Sequence, residues 1–348
     1  MSYIDQLNTA ASVTAITLSL ISWVPGVIGL VLNVFIFTRP ALRHEPCSLY
    51  FLSSSYFNLF VIFIILPVRT ITSSLNMDLG NYNIVICKME SYIFYVVRVI
   101  SCWLIMLACF DRFLHSSTNI RMRQLSSLKT ARLTIVITII SIIILYSHMV
   151  IYYKITDDVN KLGNIIPTCN AQIGIYRTFI AMWHMTFYSL CPSFLMLVFG
   201  YLTLNNIRQQ RQVLPITGVN KQIHRRTDRY LLRMLTAQVL DIIISTLPFS
   251  IYRVYSSFTI NIAKSTFRIA QENLAGQIAN TVPYFAHSSS FYLYTLTGSV
   301  FRKEVYKIIP CCSPHRQNRV HISHNQRNQI SVVQIIRQKT NNDSKTIF

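Results

Sequence analysis

Apolar residues in this chain gather into seven long blocks, parted by short polar connections, and do not recur at the spacing of a single wet helix face. The blocks cover roughly 13–38, 47–68, 88–113, 133–153, 177–204, 231–254 and 273–298. A helix needs about 20 apolar residues to cross a bilayer's hydrocarbon, and each block reaches that length. Five carry no charge between their flanking residues: Asp5 to Arg39, Glu45 to Arg69, Arg132 to Lys154, Arg177 to Arg208, and Glu272 to Arg302. The third block contains Arg98 and the sixth contains Asp241. Backbone groups surrounded by lipid must pair within their own segment, so the blocks are expected to be helices. The predicted fold class is an all-α membrane protein, a seven-transmembrane helix bundle.

Charge placement sets the expected orientation. With the N-terminus outside, 23 of the 32 Lys and Arg residues fall in the cytoplasmic connections and tail, and 8 fall outside. Basic residues favour the cytoplasmic side, so the N-terminus is predicted extracellular and the C-terminus cytoplasmic, in the plasma membrane. The net charge of +20 would suggest nucleic acid in a soluble protein. Here the basic residues sit between and after apolar blocks, and no nucleic-acid partner is expected. Hydrophobic residues make up 52% and charged residues 13%, against about 25% charged in soluble domains. No His or Cys cluster has metal spacing and no glycine-rich phosphate loop is present, so neither metal, cofactor nor catalytic residue is nominated. The first block is too long for a signal peptide's apolar core and reads as a retained span. The expected organisation is an extracellular 1–12, a membrane domain 13–300, a membrane-surface helix 301–312 and a disordered cytoplasmic tail 313–348.

Asp111-Arg112-Phe113 closes the third block. It resembles the Asp-Arg-Tyr motif of rhodopsin-class G-protein-coupled receptors, with Phe for the usual Tyr. Cys87 precedes Arg112 by 25 residues, about 37 Å along a helix. Family members keep a cysteine at that spacing, bridged to the second outer loop, where Cys169 stands here. Ser245-Thr246-Leu247-Pro248 keeps only the proline of the sixth-span motif, and that proline implies a pivot. Asp228, twenty residues earlier, matches the acid that pairs with the motif arginine in many members, so the resemblance implies an Arg112–Asp228 latch. Tyr294 and Phe301 keep the seventh-span spacing, although Ser290 and Phe291 replace Asn and Pro. Asn33 matches the first-span asparagine. Asn58 stands where many members have a sodium-coordinating aspartate, which puts such a site in doubt. Cys311 and Cys312 are candidate palmitoylation sites.

The same alignment tests ligand classes. Tyr284 stands where an opsin has its Schiff-base lysine, and Phe94 where amine receptors have an aspartate, so neither ligand fits. Arg98 lies 14 residues before Arg112, about 21 Å deeper. It reads either as the partner of Asp241 at equal depth or as an anchor for an anionic or amide carbonyl group of a ligand. His184, Arg253, Gln277 and Tyr284, with Phe94, are candidates for the pocket. Divergent invertebrate peptide receptors, including those for FMRFamide-like peptides, resemble this pattern of short termini and altered motifs. The implied function is transduction from an extracellular ligand, a short peptide first, to a heterotrimeric G protein, with arrestin a further partner through Ser331, Thr340 or Ser344. The alternatives are a chemosensory receptor for a small metabolite and a membrane transporter, the latter disfavoured by two intramembrane charges and no repeat.

Overall fold

A computed structural model describes residues 3–40, 42–75, 79–159, 165–213, 219–259, 262 and 264–308. Two compact units are distinguished, Met1–Arg302 and Lys303–Phe348, and the seven spans lie in the first. The first span is one helix, Tyr3–Phe37, which begins well before the apolar block. No Pro or Gly interrupts residues 3–12, and the added turns find partners on the seventh span. Tyr3 stacks on Phe267 with centroids 5.8 Å apart, and Asn273 Nδ2 donates to Asn8 Oδ1 at 3.2 Å.

The next five spans are Pro46–Thr72, Ile84–Ser116, Leu128–Tyr152, Ile175–Gln209 and Leu232–Phe258, the last being the apolar part of a helix Val219–Phe258. Caps explain two of the starts. Asn83 accepts from the amides of Val85 and Ile86, and Ser127 from that of Thr130, satisfying donors that a helix start leaves orphaned. The second and fifth spans each contain a π-helical turn, Val61–Ile65 and Met185–Leu190. Each turn lies just before a proline, Pro67 or Pro192. A proline cannot donate to the carbonyl four residues back and its ring crowds that group, so the ladder widens there.

The seventh span departs from the expected single helix over 273–298. It consists of Thr266–Thr281, Pro283–Ser288 and Ser290–Thr297. Pro283 removes one ladder donor, and a run of three serines follows His287. Six helices among the described residues are therefore long and apolar enough to cross a membrane unbroken. A further helix, Ser299–Ile308, follows; Ile309, Cys311, Cys312 and the tail serines and threonine lie outside the described residues. One element is not helical. Strands Tyr153–Val159 and Ile165–Ala171 pair antiparallel, with Ile155 opposite Cys169, and Cys169 is bonded to Cys87 with Cα atoms 5.6 Å apart.

Burial ranks the spans. In the third, 67% of the apolar window is buried, against 17% in the fourth. The third is the axis of the bundle, whereas the fourth turns Leu133, Val136, Ile137, Ile140 and Ile144 outward, a surface that only lipid would cover. The first span meets the seventh through small residues, as membrane helices in close contact commonly do. A Cβ on Gly26 would lie 2.7 Å from Ser288 Cβ, and one on Gly29 would lie 2.9 Å from Phe291 Cβ.

Gly29→Leu should therefore wedge the first and seventh spans apart. Overpacking of this kind costs about 1–3 kcal/mol, a fall of several degrees in Tm for the detergent-solubilised protein. A Tm equal to that of the unaltered chain would show that the two helices are not in contact at this point.

Candidate functional site

The third span carries one buried arginine near its middle, Arg98, and another near its C-terminal end, Arg112, and the two are held in opposite ways. At the end bearing the disulfide lies a cavity of about 670 Å³. Arg98 sits in its wall, 9% exposed. One terminal nitrogen donates to the Tyr284 hydroxyl, and the guanidinium carbon lies 4.6 Å from the centre of that tyrosine's ring. Its Nε is buried without a hydrogen-bond partner. The expected Arg98–Asp241 pair does not form, because Asp241 accepts instead from the Ser289 hydroxyl. Counting residues along two helices did not place them at one level: Arg98 meets Tyr284, whereas Asp241 meets Ser289 five residues further along the seventh span.

The other pocket candidates divide. His184, Arg253, Gln277 and Tyr284 all line the cavity. His184 is buried, its Nδ1 3.2 Å from the Tyr146 hydroxyl and its ring stacked on Tyr188 at 4.7 Å. Arg253 donates to the Tyr95 hydroxyl at 2.7 Å. Phe94 does not line the cavity. It is buried in an apolar cluster with Ile62, Ile65, Leu66 and Tyr284, under the guanidinium of Arg69 at 4.8 Å. Position alone misplaced it, because its neighbour on the third span, Tyr95, takes the cavity face. Tyr95 is three residues before Arg98 and hence on the same helix face, a signal the sequence did contain. Arg69, Arg177 and Tyr153 were also missed: the first two stand near the cavity ends of the second and fifth spans, and Tyr153 opens the hairpin.

Below the cavity, the intramembrane polar residues converge on one stretch of the seventh span. Asn33 donates to Ser290 Oγ at 3.0 Å. Asn58 Oδ1 accepts from Ser101 and, at 2.8 Å, from His287 Nδ1. That leaves His287 Nε2 to accept from the Tyr188 hydroxyl at 3.3 Å, which assigns the imidazole tautomer. With the Ser289–Asp241 bond, residues 287–290 tie the first, second, fifth and sixth spans together, and Asn58 adds the third through Ser101. His287 was not foreseen as a site residue.

At the opposite end, Asp111 and Arg112 are each 4% exposed. Arg112 binds Asp111 through two nitrogens, at 2.9 and 3.3 Å, and its terminal nitrogen lies 3.8 Å from Glu45 Oε2. Asp111 Oδ1 accepts from Ser126 at 2.8 Å. Glu45 is a second carboxylate that motif reading did not assign. Asp228 falls within the helix Val219–Phe258, but its side chain lies outside the described residues. Pro248 sits inside that helix. Phe113 stacks on Phe199 at 5.8 Å. Tyr294 is 1% exposed, enclosed by Phe37, Phe51 and Phe301 with centroids 5.0–5.8 Å away.

A family model described as "7 transmembrane receptor (rhodopsin family)" matches residues 27–291. No curated protein sequence matches the chain.

The hydrogen bond between Asn33 and Ser290 joins the first and seventh spans, and it can be isolated by a double-mutant cycle. Asn33→Ala and Ser290→Ala, singly and together, should give a coupling of about 0.6 kcal/mol, the average for such bonds in a membrane bundle, and no more than about 1.7. Additive effects on unfolding in detergent would mean the two side chains do not interact.

Proposed function

The chain belongs to the rhodopsin family of seven-transmembrane receptors, and from that premise we propose that it binds an extracellular ligand in the Arg98 cavity and activates a heterotrimeric G protein at the Arg112 end. The observation that carries this reading is the third span itself. One helix places Arg98 in a cavity beside the disulfide-tied hairpin and Arg112 in a carboxylate cluster about 21 Å away. The disulfide end faces outward and the C-terminus inward, in agreement with the excess of basic residues in the connections at the Arg112 end.

The resting state is the arrangement described above, with Arg112 held by Asp111 and Glu45. Asp228 adds a latch from the sixth span, on the resemblance of its position to the family's acid. Activation swings the cytoplasmic half of the sixth span about Pro248, frees Arg112 and opens a site for the C-terminal helix of Gα. Tyr294 would leave its aromatic enclosure to line that site. A ligand drives the change only by its extra affinity for the active arrangement. A short peptide is the first ligand class, since the cavity has a polar, aromatic wall and no amine-binding acid at Phe94. A chemosensory receptor for a small metabolite is the second, and it uses the same cavity and the same coupling route. Arrestin binding through the tail belongs to the same scheme.

The test is nucleotide exchange on Gα in membranes that carry the receptor. Pooled peptides and metabolites should include members that raise exchange only where the chain is expressed. Asp228→Asn should raise exchange without ligand, about tenfold if the latch contributes about 1.4 kcal/mol. No stimulation by any ligand, together with an unchanged basal rate in a well-expressed Asp228→Asn variant, would remove the coupling scheme.

A further inference from the structure

The cavity's electrostatics narrow the ligand further than the family does. Four arginines line it, Arg69, Arg98, Arg177 and Arg253, and among the described residues no Asp or Glu does. Three of these guanidinium groups are held by aromatic residues and not by carboxylates. Arg69 lies over Phe94, Arg98 binds the hydroxyl and ring face of Tyr284, and Arg253 donates to Tyr95. Ring faces and phenol oxygens orient a cation, but they leave its charge uncancelled. Elsewhere in the bundle the chain supplies the missing acid: Arg112 has Asp111 and Glu45. The contrast lies within one helix.

Burying a cation without a counter-ion is costly in a low-dielectric setting, and Arg98 is the buried one of the four. Arg98 adds a specific vacancy, since it is more than nine-tenths buried and its Nε has no partner. Guanidinium groups suit oxygen anions, to which they donate in a planar fork. A space of about 670 Å³ also takes a small organic molecule or the end of a peptide. We propose that the cavity binds a carboxylate, with Arg98 as its principal anchor and Arg69 and Arg253 supplying further positive charge from the second and sixth spans. The carboxylate comes from a small organic acid or from the free C-terminus of a peptide, and a C-terminal amide is disfavoured because it brings no charge. This assignment rests on the reading of the cavity as the ligand site. It adds one element to that reading: an anion held between the third and sixth spans acts on the helix that must swing.

Direct binding tests it without knowledge of the natural ligand. The full-length receptor in detergent would be heated with benzoate, lactate or succinate, with the corresponding neutral amides, and with inorganic phosphate. A second arm compares pooled tetrapeptides bearing a free C-terminal carboxylate with the same pool amidated. The expected result is a rise in Tm of about 3 °C or more with at least one carboxylate arm at saturating concentration, and none with its amide or with phosphate. Arg98→Gln should weaken that carboxylate by about 100-fold, and Arg98→Lys should recover part of the loss. If Arg98→Gln does not fold, Arg253→Gln takes its place, with a smaller loss expected. The arm that responds identifies the source. Amides equal to acids, phosphate equal to acids, or no response to any carboxylate would each overturn the assignment. Nucleotide exchange keeps the two claims apart. Exchange driven by a neutral ligand would preserve the receptor reading and sink the carboxylate, whereas acid binding without exchange would do the reverse.

Discussion

Polar atoms inside a bilayer have no water to turn to, and the seven spans are assembled around that shortage. Asn33, Asn58 and Asp241 stand on the first, second and sixth spans, and each finds its partner within residues 287–290 of the seventh. The same stretch is where the helix is interrupted, between Pro283–Ser288 and Ser290–Thr297. An interrupted ladder turns side chains in directions that a continuous helix would not, and His287, Ser289 and Ser290 supply the groups. The other spans take their register from these bonds. Gly26 and Gly29 then let the first span approach closely enough for Asn33 to reach Ser290.

The two buried arginines of the third span show what the bundle does when it intends a charge to be neutral. Arg112 sits against two carboxylates, one of which is further fixed by Ser126. Arg98 sits against a phenol. Asp241, the acid within the sixth span, is turned to Ser289, five residues along the seventh span from the Tyr284 that Arg98 meets. Among the described residues no carboxylate pairs with Arg98, which leaves that base with a partner still to meet.

The features legible in the sequence were those set by length and by spacing along one helix. Uncharged runs of bilayer length located the spans, and the Cys87–Arg112 interval put those two residues at opposite ends of the third span, while the bridge from Cys87 to Cys169 came from the family resemblance. What was missed depends on relations between segments. The strands Tyr153–Val159 and Ile165–Ala171 mix polar and apolar residues, and only their pairing with each other makes them strands. The π turns before Pro67 and Pro192 came from the ladder's response to proline, which periodicity does not record. Phe94 was assigned to the pocket by its position in the family and lies in the apolar cluster instead. Glu45 was readable as a charge but not as a partner of Arg112, because the two belong to different spans.

On the proposed reading, the broken seventh span decides how a ligand's pull is transmitted. Tyr284 lies under Arg98 on the cavity side of the break, and Tyr294 lies beyond it in the aromatic enclosure. A continuous helix would carry a displacement of Tyr284 to Tyr294 as a rigid rod. Here the two tyrosines are separated by residues whose side chains are anchored to four other spans. A ligand that engages Arg98 and Tyr284 therefore works against those anchors before it reaches Tyr294. Several hydrogen bonds, each worth about 0.6 kcal/mol on average in a membrane, resist it together. A ligand that merely filled the cavity would leave that balance untouched. The group that shifts it must interact more strongly with Arg98 and Tyr284 in one arrangement of the anchors than in the other.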